Sequence, residues 1–191
     1  MRAFVFIAAL AAGVGLARAA EPAWSTYTDA KRGFSLTYPT GWKVDPNHVD
    51  KGYGFFQGDR DDVRDGVAFM PVEDIAPGTN LQSDQLALVV ERARPGDRCV
   101  ASAFLVDPPP DYFTQTLVDK PDAIQTTADA GDLYSIEHIA MIASHAPCIA
   151  VHYVIVSGRI ARDDPGAAKP FDRAAVIGLL NKIASTLTLA K

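Results

Sequence analysis

The chain has 191 residues, with 18 Lys and Arg against 23 Asp and Glu, and its formal net charge is −5 at pH 7. This acidic balance, without a basic stripe, excludes a nucleic-acid binder that relies on neutralising phosphates. The length is that of one domain with a sizeable core, and no internal repeat or low-complexity linker divides the chain.

The N-terminus predicts a secretory signal. Arg2 precedes an apolar run from Ala3 to Leu16, and Ala17-Arg18-Ala19 then places small residues where signal peptidase reads them. An uncleaved anchor is the alternative, but it needs about 20 apolar residues and Arg18 interrupts the run. We therefore expect a cleavable signal at 1–19, with cleavage near Ala19 and Ala20. The mature domain at 20–191 is expected to be periplasmic or secreted, without membrane insertion.

Strands are predicted throughout the first half of the chain. Trp24 to Thr28 is predicted to be a short strand, and Gly52 to Gln57 and Gly66 to Val72 are glycine-bounded and rich in apolar or aromatic residues. Within Gly33 to Trp42, Phe34, Leu36 and Tyr38 alternate with polar residues, as in a strand with one buried face. Pro39 is expected to end that strand, and Gly41 permits a turn that brings Trp42 onto the core.

The segment from Phe34 to Trp42 resembles the opening of PsbP-like and Mog-type domains. The apolar strand Cys148 to Val156, followed by a helix through Ile183-Ala184-Ser185-Thr186-Leu187, is similar to their ending. The resemblance implies an α+β fold, a helix–sheet–helix sandwich with a mostly antiparallel central sheet. It implies diverging functions: photosystem assembly, binding of a small GTPase, or exported proteins without an assigned role. It implies no ligand-site residue in this chain.

Two amphipathic helices are predicted. Ser83 is a possible cap of a helix that runs to about Arg94, where Pro95 and Gly96 stop it. The second helix extends from about Phe171 to Leu187 with Asp172 as a possible cap. Its apolar stripe comprises Val176, Ile177, Leu180, Ile183, Ala184 and Leu187.

Leu133 to Ala143 and Pro147 to Ser157 predict a hairpin around Ser144-His145-Ala146. In this register His138 faces His152, and Glu137 points away from them. Both faces of the hairpin are apolar. We therefore expect central strands that helices or loops cover on both sides.

The two cysteines, Cys99 and Cys148, are both expected in strands. In an oxidising compartment an even pair within one domain indicates a disulfide, and two buried thiols are the alternative. The chain contains no Cys-x-x-Cys motif, which argues against thioredoxin-type redox chemistry.

Metal binding and hydrolysis are the competing chemistries. His138 with His152, or His145-x-x-Cys148-x-x-x-His152, has the residue types of a metal site, but a metal needs three or four converging ligands. No Gly-x-Ser-x-Gly elbow or phosphate-binding motif is present, and the paired aspartates fall in hydrophilic loops. We expect ordinary core-edge histidines, no cofactor and no catalytic residue.

The predicted function is therefore a non-enzymatic binding or assembly module that contacts an envelope protein or a small ligand. The alternative is an exported hydrolase or metal-binding protein with a site built from dispersed residues such as His138 and His152. Three loops are the candidate contact surfaces: Asp59 to Asp65, Asp107 to Phe113, and Arg162 to Lys169.

Overall fold

The computed structural model describes residues 23–48, 65–93, 96, 98–104, 115–120, 122–130, 134–160 and 168–190. Within these ranges the strands and the helix are, in chain order, β1 (Trp24–Asp29), β2 (Phe34–Pro39), β3 (Trp42–His48), β4 (Asp65–Pro71), β5 (Ala87–Arg92), β6 (Gln115–Lys120), β7 (Ala123–Ala130), β8 (Tyr134–His145), β9 (Cys148–Gly158), α1 (Arg173–Ala184) and β10 (Thr188–Leu189). Two 3-10 turns lie at Ser83–Gln85 and Ala101–Phe104.

The strands form two sheets. The larger has seven strands in the order β3-β4-β5-β9-β8-β7-β6, and the smaller has three in the order β1-β2-β10. Every neighbouring pair is antiparallel, which confirms the predicted antiparallel sheet. The predicted strands at 24–28, 34–38 and 66–72 are confirmed, whereas the strand predicted at 52–57 lies outside the described residues.

The main core lies between one face of the large sheet and a layer made of α1 and the small sheet. Leu36 of β2 and Leu180 of α1 pack in one apolar cluster with Phe69, Val151 and Tyr153 of the large sheet. Trp42 belongs to the same cluster, as predicted for a core anchor. We call this side of the large sheet the helix face. None of the described helices has the length and apolar character needed to cross a bilayer.

The opposite side of the large sheet, here called the second face, is covered by the 3-10 turn at 101–104. Ala101 and Phe104 pack on Ile124, Ala140 and Ala150. Both sides of the central hairpin are therefore covered, as its two apolar faces predict. The mostly antiparallel sheet of the prediction is confirmed, but the helix–sheet–helix sandwich is not, because the described part of the chain has one α-helix and a 3-10 turn covers the second face.

The helix predicted from Ser83 to Arg94 is wrong. Ser83 begins a 3-10 turn, and Ala87–Arg92 is strand β5, between β4 and β9. Residues 86 to 91 are all buried, so both sides of this strand need apolar packing. An apolar run that is buried all round fits a central strand as well as a helix, and the β-branched Val89 and Val90 favour the strand.

The C-terminal helix is confirmed with a shorter span. Asp172 is its N-cap, and its Oδ1 accepts the backbone N–H of Ala175 at 3.0 Å. The helix ends at Ala184 rather than near Leu187, because the following residues join the small sheet. The backbone N–H of Thr37 donates to Thr186 Oγ1 at 2.8 Å, and Thr188–Leu189 pairs with β2.

The central hairpin forms with a different register from the predicted one. His145 pairs with Cys148 across Ala146 and Pro147, and the pairing shifts at a bulge between Ile142 and Ser144. The net offset from the predicted pairing is two residues, so every side chain keeps its predicted face. His138 therefore lies opposite Val154, and His152 lies opposite Ala140.

Several predictions fall outside the described residues. These are the signal at 1–19 and nearly all of the three candidate contact loops, of which residues 65, 168 and 169 are described.

Candidate functional site

Three ionisable side chains meet on the second face of the large sheet. His138 Nε2 lies 3.2 Å from His152 Nδ1, and His152 Nε2 lies 3.1 Å from Glu91 Oε2. The three side chains come from β8, β9 and β5, which are adjacent strands in that order. We call this row the carboxylate–histidine file. The sequence predicted the proximity of the two histidines, although as directly opposed residues, and missed Glu91.

Diagonal strand neighbours produce this file. Val89 is the partner of His152 in the register, and Glu91, two residues farther along β5, is the partner of Ala150. Residues two apart on a strand share a face, so Glu91 reaches His152 diagonally. Gly66 on β4 leaves space for the Glu91 side chain, because a Cβ there would lie 3.0 Å from Glu91 Cγ.

The inner part of the file is shielded from water. The side chains of His152 and Glu91 are 3% and 1% exposed. Phe104 covers His152 in an edge contact, with ring centroids 5.6 Å apart and ring planes at 68°. An isolated charge at such a site would be very unfavourable, and the imidazole beside Glu91 offers a donor that compensates it.

The hydrogen-bonding partners determine which nitrogen of each histidine carries the hydrogen. An ionised carboxylate only accepts hydrogen bonds, so Glu91 favours the His152 tautomer with its hydrogen on Nε2. Nδ1 of His152 is then an acceptor, and His138 Nε2–H donates to it. This tautomer assignment follows from the neighbours of each nitrogen rather than from observed hydrogens.

The file can hold and relay protons, but it does not have the form of a metal site. Its members lie in a row, each contacting the next, whereas a metal needs ligands that converge on one point. The described residues include no group of three His, Cys, Asp or Glu placed to hold a metal ion. The predicted His145, Cys148 and His152 combination is not brought together: Cys148 is in a disulfide, and His145 is exposed beside Asp122 at 3.4 Å.

The disulfide lies next to the file. Cys99 and Cys148 are joined, as predicted, with their Cα atoms 5.7 Å apart. Cys148 begins β9, but Cys99 lies outside any strand, two residues before the 3-10 turn at 101–104. The bond therefore tethers the segment that covers His152 to the strand that carries it.

Glu137 belongs to the helix face, as strand alternation predicts. Its carboxylate accepts Arg173 Nε–H at 2.8 Å and also contacts the Arg173 Nη2 atom. The hydrogen bond with Glu137 raises the pKa of Arg173. This pair joins α1 to β8 and stands apart from the carboxylate–histidine file.

The sequence offered one usable signal for Glu91, which the predicted Ser83–Arg94 helix concealed. Glu91 follows Leu88-Val89-Val90 without a break, and in a buried strand an acidic residue needs a partner. On a helix the same glutamate would have been an ordinary solvated side chain.

No protein-family model and no curated protein matches the sequence. Two solved structures are similar to the chain. One is the solution structure of cyanobacterial PsbP (CyanoP) from Synechocystis sp. PCC 6803: it is 14% identical, the match covers 95% of this chain and 98% of that chain, and the TM-score is 0.41. The other is the crystal structure of the Saccharomyces cerevisiae Ran-binding protein Mog1p, with 9% identity, coverage of 90% and 97%, and a TM-score of 0.44. They are of the two domain types that the Phe34–Trp42 motif resembles.

Proposed function

We propose that the protein is an exported binding or assembly module that contacts an envelope protein or a small ligand. The observation that carries this proposal is that the described strand ends next to two candidate contact loops, at Gln115 and Gly158, lie at one end of the large sheet. A covered, disulfide-bonded antiparallel sheet is a rigid support for such loops, and binding residues are frequently carried on loops that a rigid scaffold positions.

The pairing of the strand ends supports this assignment. Ala130 pairs with Tyr134, and Tyr134 pairs with Gly158. Gln115 pairs with Ala128, close to the same end. The loop 107–113 precedes Gln115 and the segment 162–169 follows Gly158, so both attach to this end of the sheet. The loop 59–65 attaches to the opposite end, where Asp65 pairs with Arg92.

The charge of these two loops favours a basic partner. Asp107 and Asp111 belong to one loop, and Asp163 and Asp164 belong to the other. Tyr112 and Phe113 add aromatic groups, which are enriched at protein interfaces. We therefore propose a partner surface that is basic around an apolar centre.

Export is part of the proposal. The apolar run from Ala3 to Leu16 with small residues at 17 and 19 supports it, and so does the disulfide between Cys99 and Cys148. Disulfides persist in oxidising compartments and are rare in the cytosol. Mass spectrometry of the mature N-terminus tests the predicted cleavage near Ala19 and Ala20.

A pull-down from an envelope extract tests the surface. The variants carry Ala at Asp107, Asp111 and Phe113, or at Asp163 and Asp164, and the matched control carries Ala at Asp59, Asp61 and Asp62. We expect the first two variants to lose a partner that the control retains. Retention of every partner by all three variants would refute the surface assignment.

A hydrolase is the second candidate, favoured by the carboxylate–histidine file. A carboxylate–imidazole pair orients a general base, and here Glu91 and His152 would position His138 as that base. The test is hydrolysis of p-nitrophenyl acetate by the wild type, His138→Gln and, as a control, His145→Gln. Equal rates for the three proteins would exclude this role.

A further inference from the structure

We propose that the open edge of the small sheet, formed by β1, pairs with the same edge of a second copy of this chain. The two strands run antiparallel, with Thr26 on the twofold axis. The three strands of each small sheet then form one continuous sheet, in the order β10-β2-β1-β1-β2-β10. The inference rests on β1 and its pairing with β2, and it is independent of the partner-binding function.

The backbone groups of Thr26 point to this edge. Thr37 of β2 is the register partner of Thr26, and its N–H donates to Thr186 Oγ1 at 2.8 Å on the far side of β2. In an antiparallel pair, two opposed residues exchange both of their hydrogen bonds or neither. Thr26 and Thr37 therefore exchange neither, and the N–H and C=O of Thr26 face away from β2.

Trp24 and Thr28 repeat the orientation of Thr26. The N–H of Thr40 donates to Ala23 O at 2.8 Å, so the two strands are bonded at residue 23, and bonded pairs recur at every second residue. Trp24, Thr26 and Thr28 fall between the bonded positions. In the described part of the chain, no strand pairs with β1 on the side that these groups face. The edge thus offers a regular row of backbone donors and acceptors.

The β1 strand has none of the features by which proteins usually protect a sheet edge. From Trp24 to Asp29 it contains no proline and no lysine, and its register with β2 has no bulge. The side chains of Thr26 and Thr28 are exposed, so the edge is open to solvent. The one charged residue of β1, Asp29, is buried in an ion pair with Arg32. Such an edge is a template for another strand, and two copies of it do not repel each other through their own charges.

The sequence of β1 is self-complementary, which identifies the second strand as a copy of itself. With Thr26 opposite Thr26 of the second copy, Trp24 lies opposite Thr28 and Ser25 lies opposite Tyr27. Threonine pairs and pairs of an aromatic with a β-branched residue stabilise neighbouring strands. This register also opposes the residues whose backbone groups face the edge, whereas a shift by one residue would oppose them to groups already bonded to β2. The result is an isologous twofold contact, the commonest kind in homo-oligomers.

Sedimentation equilibrium of the untagged protein, from about 5 μM to about 500 μM, measures the dissociation constant of the dimer. Thr26→Lys places two like charges opposite each other on the twofold axis, and we expect this constant to rise at least fivefold. Thr188→Lys is the matched control, with an expected change below twofold. Thr188 is also exposed and lies on the same face of the small sheet, since it pairs with Ser35 and Ser35 pairs with Thr28, but it belongs to the opposite edge.

A charge swap separates pairing at this edge from a general loss of stability. An equimolar mixture of Thr26→Lys and Thr26→Asp opposes unlike charges, so it should associate more tightly than either variant alone. A wild type that is monomeric over the whole concentration range would refute the proposal. Equal effects of Thr26→Lys and Thr188→Lys, or a mixture no tighter than its components, would refute it as well.

Hydrogen exchange locates the contact without any variant. The Tyr27 amide is bonded to β2 and should be protected at every concentration, because Tyr27 and Leu36 form a bonded pair. The Thr26 amide faces the open edge, so its protection factor should rise at least tenfold between the lowest and the highest concentration. Protection of Thr26 that does not depend on concentration would overturn the proposal, even for a protein that sediments as a dimer.

Discussion

The hydroxyl of Tyr153 provides a quantitative test of the packing between the large sheet and α1. Tyr153 is buried on the helix face, and its OH donates to Asn181 Oδ1 at 3.0 Å. Burial raises the pKa of Tyr153 to about 12, from an ordinary value of 10.0. The perturbation that we consider is Tyr153→Phe, which removes the hydroxyl and leaves the ring.

Alkaline pH lowers the free energy of unfolding, because the Tyr153 hydroxyl has a higher pKa in the folded chain than in the unfolded chain. Because the folded-state pKa is raised, ionisation favours the unfolded chain once the pH exceeds 10, so stability that is fully present below pH 10 is lost as the pH rises towards 12. Two pH units correspond to about 2.7 kcal/mol in total, and about 1.4 kcal/mol of this is lost by about pH 11. At neutral pH the variant loses one hydrogen bond, which is about 1 kcal/mol.

Urea unfolding of both proteins at about pH 7 and about pH 11 measures the difference in the free energy of unfolding. We expect the wild type to be more stable by about 1 kcal/mol at the lower pH and less stable by about 0.4 kcal/mol at the higher. The pKa of Tyr27 is also raised, but Tyr27 is common to both proteins and cancels in the difference.

Asn181→Ala separates burial from hydrogen bonding. This variant keeps the buried hydroxyl, so it should lose stability at neutral pH and retain the alkaline decline of the wild type. A difference between wild type and Tyr153→Phe that does not change between the two pH values would refute the burial of this hydroxyl.

Three further outcomes are expected. Reduction of Cys99–Cys148, which are 49 residues apart, should lower the free energy of unfolding by about 4 kcal/mol, and intact mass should show two alkyl labels only after reduction. Burial raises the pKa of Asp29, but hydrogen bonds from Arg32 outweigh this effect and hold the pKa below its usual value. The free energy of unfolding should therefore fall as the pH drops below about 4, and it should fall less steeply in Asp29→Asn. Asp172→Ala should cost about 1 kcal/mol in thermal or urea unfolding, with Asp172→Asn near wild type.

Period-2 alternation and turn chemistry were sufficient to predict β2 and the packing of Trp42 in the core. Phe34 and Leu36 are buried, while Ser35 and Thr37, which alternate with them, are partly exposed, so the pattern identifies both the strand and its inward face. Asp172 was predicted as a cap for a similar reason, because a capping residue acts on its own neighbours. Signals of this kind depend only on neighbouring residues, so contacts with distant parts of the chain do not change them.

The register of the hairpin and the identity of β5 depend on contacts that sequence patterns do not encode. The bulge between Ile142 and Ser144 shifts the pairing partners while preserving the faces. The file therefore formed between diagonal neighbours rather than opposed ones. Glu91 entered it only because Ala87–Arg92 became a strand between β4 and β9. A tertiary environment decided that outcome, and local propensity did not.

The two faces of the central hairpin are covered by different means, which explains why the polar file lies on one of them. On the helix face the large side chains of Tyr153, Ile155 and Leu180 interlock, so an ionisable row there would displace apolar packing. On the second face Ala140 and Ala150 leave a shallow surface, and a short turn suffices to cover it.

The cover buries one large apolar side chain, Phe104, which is 2% exposed and packs with Ile124, Ala140 and Ala150. Its attachment therefore depends on this ring at its centre, which also contacts His152, and on a covalent bond at one side. Loss of the disulfide should consequently weaken this element. The Ala103 amide donates to Val100 O at 3.0 Å, and we expect reduction to lower its protection from hydrogen exchange more than that of amides in the central strands. Unchanged protection of Ala103 after reduction would show that the disulfide stabilises the chain elsewhere.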